Sequence, residues 1–299
     1  MNIEVRGLSF SYGARQALRD VGFSAGPGEI VSVLGPNGAG KSTMFRCIMG
    51  FLRTERGAVL IDGDDIRGLG RRELARRLAY IPQAAAPVFN HTVLETVLMG
   101  LSGRVAFGRA PGKAHVAAAL ETLESLGIAH LRDRGCLEIS GGERQLAFLA
   151  RALAQDARIL VMDEPTANLD YGHQHGALER ARSLALEGYT VVMSTHSPEH
   201  AFLYSTRVLA LCGGRAVAEG RPGEVLTEGL LESLYGIGVS LHELSVGGRT
   251  VRICLPAGAA GPAAGECESG AAGPGAGEVE AEPAEDGAGP AESGIGAER

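Results

Sequence analysis

Gly35-Pro36-Asn37-Gly38-Ala39-Gly40-Lys41-Ser42 is the stretch on which the reading of this chain turns. An apolar run at 30–34 enters it, and residues 43–49 leave it with helical spacing, so the local order is strand, glycine-rich turn, helix. The glycines let successive backbone N–H groups converge into a nest for anionic oxygen. A helix opening at Lys41 adds partial positive charge at the same place. Lys41 can then reach the β- and γ-phosphates of a nucleotide, and the Ser42 hydroxyl suits Mg2+.

Working outward, 299 residues with 45% hydrophobic side chains allow one large α/β domain or two smaller ones. No segment approaches the roughly 18 apolar residues of a membrane span, and Met1-Asn2-Ile3-Glu4-Val5 lacks the character of a secretory signal. Cys47, Cys136, Cys212, Cys254 and Cys267 include no C-x-x-C pair. That pattern suits reduced thiols in a cytoplasmic protein better than a disulfide framework or zinc site. The net charge of −7 is concentrated at residues 257–299, which hold nine acidic side chains and one basic. The remainder is nearly neutral, which argues against nucleic acid as an electrostatic partner. The acidic stretch is mostly Ala, Gly, Pro and Glu; it cannot bury enough apolar surface to offset ordering entropy and is expected to be disordered.

Strands are expected at 3–10, 18–23, 30–34, 58–61, 78–82, 159–162 and 190–193, with a hairpin at 208–218 about Gly213-Gly214. Residues 92–154 carry an unbroken helical pattern, and 174–186 a further helix. Strands alternating with helices imply a largely parallel, three-layer α/β core, with a helical subdomain at about 92–155. The acidic cluster Asp62, Asp64 and Asp65 is not a calcium loop, because Ile66 stands where the next ligand belongs.

The run 159–162 ends in Asp163-Glu164. A buried strand ending in Asp beside a phosphate loop can hold Mg2+, and Glu164 stands where a carboxylate can polarise an attacking water. His196 follows the next strand and so falls in the crevice where ligands of parallel sheets bind. His173 and His175 have no partners at metal-ligand spacing and are expected to be exposed at a helix start. Ile139-Ser140-Gly141-Gly142-Glu143 opens a helix with a hydroxyl, free N–H groups and the helix dipole, a second anion-friendly terminus.

Residues 35–42, Gln83, 139–143, Asp163-Glu164, Asn168-Leu169-Asp170 and His196 occur in the order of an ABC-type nucleotide-binding domain, which residues 1–256 resemble. The resemblance implies a P-loop NTPase core of ABC type with an N-terminal antiparallel β subdomain and an inserted α-helical subdomain. It also implies an ATPase that uses ATP and Mg2+. ATP would be bound by Tyr12, stacked on adenine, by Gly35, Pro36, Asn37, Gly38, Ala39, Gly40, Lys41, Ser42 and Thr43, and by Gln83. Mg2+ would be held by Ser42, Gln83 and Asp163. Glu164 matches the catalytic base and His196 the switch histidine at the γ-phosphate, with Lys41 completing the catalytic set. Ser140, Gly141, Gly142 and Glu143 match the signature that touches the ATP of the opposite subunit, and Asn168, Leu169 and Asp170 the loop joining the two sites. Ile139 replaces the usual Leu and Glu143 the commoner Gln.

The implied assembly is a homodimer of the ATPase under a dimeric integral-membrane permease, peripheral on the inner face of the cell membrane, with a substrate-binding protein acting through the permease. The wording at 140–146 and 163–174 resembles the ATPases of bacterial iron-siderophore, haem and vitamin B12 importers. Molybdate or another metal chelate, and a soluble non-transport ATPase, remain alternatives. A translation-type ATPase would carry two phosphate loops, a DNA-repair type long heptads or zinc cysteines, and a full exporter its own spans. Val88, Phe89 and Val93 are candidate permease contacts or, equally, local core, and 220–256 reads as a short helical and β extension.

Overall fold

The computed structural model describes residues 1–54, 56–83, 89–105 and 109–258. Val88, Cys267 and the acidic segment from residue 259 onward lie outside them. In chain order the elements are β1 (Ile3–Tyr12), β2 (Arg15–Ala25), β3 (Ile30–Leu34), α1 (Lys41–Ile48), β4 (Arg56–Ile61), β5 (Asp64–Asp65), α2 (Arg71–Arg77), β6 (Leu78–Ile81), α3 (Val93–Gly100), α4 (Lys113–Ser125) and α5 (Gly141–Ala154). There follow β7 (Ile159–Met162), α6 (Tyr171–Leu186), β8 (Thr190–Thr195), α7 (Pro198–Tyr204), β9 (Arg207–Cys212), β10 (Arg215–Gly220), α8 (Pro222–Val225), α9 (Glu228–Tyr235), β11 (Val239–Val246) and β12 (Arg249–Pro256).

Among the described residues the strands form three sheets. The central one runs β10-β9-β3-β8-β7-β6; β9, β3, β8, β7 and β6 are parallel, and β10 returns antiparallel from β9. Strands β3, β7 and β8 are buried along their whole length, which is why residues 159–162 and 191–193 read as apolar runs without alternation. Side chains still alternate between faces. Val31, Val33, Val161 and Val192 join α1 and the inner face of the N-terminal sheet, while Ile30, Leu160, Met162, Val191 and Met193 pack on α5 and α6. That N-terminal sheet is antiparallel, in the order β2-β1-β4-β5.

The helical pattern expected at 92–154 is divided among α3, α4 and α5, with residues 126–140 separating α4 from α5. They enclose a core of their own, built from Val93, Val97, Ala119, Leu123, Ala147 and Ala150. Thr92 and Ser140 start α3 and α5 with capping boxes, each hydroxyl accepting from the N–H three residues on while that residue's Glu accepts in return. Val93 is fully buried here, so local core describes it and permease contact does not. Helix α2, which the sequence pattern did not single out, carries Glu73 and Arg77 in an i,i+4 ion pair.

Candidate nucleotide-binding site

The turn 35–40 joins the end of β3 to α1, at the carboxyl end of the parallel strands. Gly40 caps α1 with φ 107°, and a Cβ there would meet the Ala17 carbonyl oxygen at 2.8 Å, so the position requires glycine. The Lys41 Nζ donates to the carbonyl oxygens of Gly35 and Pro36 at 2.7 and 3.2 Å and lies 3.7 Å from Glu164 Oε1. Burial pushes the Lys41 ammonium below its ordinary pKa, and the Glu164 and Asp163 carboxylates partly offset this.

Strand β7 delivers the acidic pair. Asp163 is buried, and its Oδ1 accepts from Ser42 Oγ at 3.3 Å and Ser194 Oγ at 2.8 Å, its Oδ2 from Tyr80 Oη at 3.2 Å. Ser194 Oγ also accepts from the Glu164 N–H at 2.8 Å, so one hydroxyl bridges both acids. Glu164 has φ 45°, a left-handed conformation that is strained for a residue with a Cβ and that turns the chain sharply out of β7. Gln83, just past β6, donates to Glu164 Oε2 at 3.3 Å. Burial beside Asp163 pushes the Tyr80 hydroxyl up to about 12, so it is a neutral donor.

Beside them lies a cavity of about 990 Å³ lined by Tyr12, Asn37, Gly38, Gly40, Lys41, Ser42, Thr43, Gln83 and Glu164, with Asp163 behind Ser42 and outside its wall. Arg15 and Arg19 of β2 and the Gly213-Gly214 turn line it too; the sequence marks that turn as a hairpin but gives no sign that it or the two arginines belong to the site. Gly214 N donates to Ala39 O at 3.0 Å, and Arg19 N to Gly214 O at 2.7 Å, so that turn ties the phosphate loop to the N-terminal sheet. A Cβ on Gly214 would lie 2.4 Å from Ala17 O. Tyr12 is half-exposed and forms a T-shaped pair with Phe10. Neutral and charged oxygens at Ser42 and Asp163 form the hard donor set that Mg2+ takes, and the cavity with its Lys, Arg and N–H groups suits a triphosphate.

Other sequence-predicted residues stand apart from that cavity. Gly35, Pro36 and Ala39 support the loop from behind through the bonds just given. His196 is exposed immediately after β8 and does not line the cavity. Ser140, Gly141, Gly142 and Glu143 are also absent from its wall. Instead, Gly141 and Gly142 abut Asn168, Leu169 and the His173 ring, so the start of α5 and the loop before α6 form one surface. Asp170 caps α6 and pairs with His173 at 2.7 Å. His175 differs from the sequence expectation: it is half-buried, its Nδ1 2.7 Å from Tyr204 Oη, because Tyr171 and α7 cover it.

Residues 18–167 match the family model described as ABC transporter. The hemin import ATP-binding protein HmuV of Myxococcus xanthus is 40% identical over 250 residues, covering 81% of this chain and 93% of its own. The cobalamin import ATP-binding protein BtuD of Halobacterium salinarum is 38% identical over 243 residues, 81% of this chain and 60% of its own. A solved structure described as an inward-facing metal-chelate type ABC transporter superposes with a TM-score of 0.76 at 28% identity, over 85% of this chain and 96% of that one. With this site on this fold, the chain belongs to the ABC transporter family, as an ATP-binding subunit.

Proposed function

We propose that this chain hydrolyses ATP to drive an importer for hemin, cobalamin or an iron-siderophore, working as a homodimer beneath a separate membrane permease that receives cargo from a substrate-binding protein. The observation that carries the reading is one cavity walled by Lys41, Ser42, Gln83 and Glu164, with Asp163 bonded to Ser42 behind that wall, while Ser140–Gly142 are absent from it. A site split in this way is completed by a second copy.

Lys41 would release its loop carbonyls for the β- and γ-phosphate oxygens, a charge-assisted exchange at no cost in ordering the side chain. Ser42 and Asp163, with Gln83, would hold Mg2+, which supplies neutralisation of charge on the transferring phosphoryl group. Glu164, its backbone held by Ser194, would orient and polarise the attacking water, and His196 would contact the γ-phosphate from the end of β8. Tyr12 would stack on the base.

Support for a permease partner lies on another face. A groove of about 730 Å³ is lined by Met49, Phe51, Leu74, Tyr80, Met99 and Arg151, with Phe51 64% exposed. An exposed aromatic over an apolar groove is an interaction surface, and Phe89, 68% exposed, is a further contact candidate. Among the described residues no helix is long and apolar enough to cross a membrane.

Replacing Glu164 with Gln keeps the shape and removes the base. The variant should bind ATP, form a dimer on ATP addition in gel filtration, and turn over at least about 100-fold more slowly. Wild-type turnover, or no ATP-dependent dimer, contradicts the reading. Purifying the tagged chain from membranes and identifying its companions by mass spectrometry, followed by uptake assays with hemin and cobalamin, tests the cargo class.

A further inference from the structure

The C-terminal extension reaches the residue that follows β8. Tyr235, the last residue of α9, donates its hydroxyl to the backbone carbonyl oxygen of His196 at 2.9 Å. The same peptide is held at its nitrogen as well, since Ser197 N donates to Thr195 Oγ1 at 3.1 Å. Ser197 then caps α7, its Oγ accepting from His200 N at 3.2 Å. The peptide that joins His196 to Ser197 is therefore held at both its oxygen and its nitrogen by two side chains, one of them 39 residues away from His196 in sequence. The His196 side chain itself is exposed.

Tyr235 is not a loosely attached residue. Leu231 and Leu234 of α9 are buried with Leu34, the residue just before the phosphate loop, and with Ala201 of α7. Strand β12 packs on α7, and Glu228 at the start of α9 accepts from Leu241 N of β11 at 2.8 Å. Burial, with Glu199 and Cys254 nearby, pushes the Tyr235 hydroxyl well above its ordinary pKa, so it stays a proton donor at any working pH.

We propose that Tyr235 is a positioning residue that sets the orientation of His196, making the extension α9–β12 part of the ATPase machinery. This rests on the reading that His196 contacts the γ-phosphate. A contact made only in the closed, reacting geometry affects kcat more than ATP binding, and loss of a group's orientation is costly even when the group remains.

The test is a double-mutant cycle in the full-length chain: wild type, Tyr235→Phe, His196→Ala and the double variant, read by steady-state and single-turnover ATP hydrolysis, melting temperature and backbone hydrogen exchange. Tyr235→Phe keeps the ring and removes the bond. It should lower kcat about tenfold with KM for ATP within about twofold, leave the melting temperature nearly unchanged, and speed exchange at residues 195–198. In the His196→Ala background the same change should have no further effect. Wild-type kcat in Tyr235→Phe alongside a slow His196→Ala overturns the positioning role while the reading of His196 stands. Additive losses overturn it too, because they mark a purely structural effect. A His196→Ala variant as fast as wild type overturns the reading of His196 itself and this inference with it. If His196→Ala shows no measurable turnover, the exchange arm decides: unchanged exchange in Tyr235→Phe sinks the proposal, faster exchange confined to 195–198 upholds it.

Discussion

Ser194 is one of three polar residues in the fully buried strand β8, and its hydroxyl serves both acids of the site. Ser194→Ala removes a donor from Asp163 and leaves the Glu164 N–H unpaired, a loss of about 1–3 kcal/mol for such a buried group. Denaturant unfolding should register that loss, and the Mg2+ concentration needed for half-maximal ATPase activity should rise. Glu143 offers a pH test. The Ser140 backbone N–H, with its hydroxyl, holds the Glu143 carboxyl below its ordinary value of 4.5. A depressed carboxyl pKa stabilises the fold above the unfolded value and loses that contribution as pH falls through the folded one. Glu143→Gln retains an acceptor without the charge. The melting-temperature advantage of wild type over this variant should be constant above pH 4.5 and shrink below it.

Between elements, the start of α5 is held by a core that the nucleotide cavity does not share. Leu123 of α4 is fully buried in it with Val93, Val97 and Ala147. Leu123→Ala should destabilise that subdomain by roughly 2–5 kcal/mol. ATP affinity, measured by fluorescent-nucleotide titration, should change little, while turnover falls because Ser140 is displaced. The turn between β9 and β10 works in the opposite sense. Gly214→Ala would drive a Cβ against Ala17 O and part the phosphate loop from β2. The same titration should show weakened ATP binding.

At the largest scale, the described residues up to 258 belong to one compact unit that contains every described part of the proposed site. It still presents the parts on different surfaces, with Lys41 and Glu164 in the cavity and Ser140 outside it. Two-fold pairing would complete both sites at once. Lys41→Ala and Ser140→Ala should each be inactive alone. Mixed in equal amounts they should recover about a quarter of wild-type turnover, since half the dimers are mixed and each has one intact site. No recovery in a mixture shown to form mixed dimers by native mass spectrometry would count against the split site.

Whatever local chemistry encodes was legible in the amino-acid sequence: the strand–loop–helix about 35–42, the acids closing β7, the helix start at Ser140, and the apolar runs within β3, β7 and β8. Those depend on neighbours a few residues apart, and the spacing shows them. Only the tertiary structure decided that Ser194 and Tyr80 hold Asp163, that Gly214 ties down the phosphate loop and that Tyr235 reaches His196. Ser194 and Asp163 are 31 residues apart, Tyr80 and Asp163 83. They meet because parallel strands β8, β7 and β6 lie side by side. Each is joined to its neighbour through a crossover whose length carries no trace of the pairing, so the order of strands, set by burial of both sheet faces, is what brings them together.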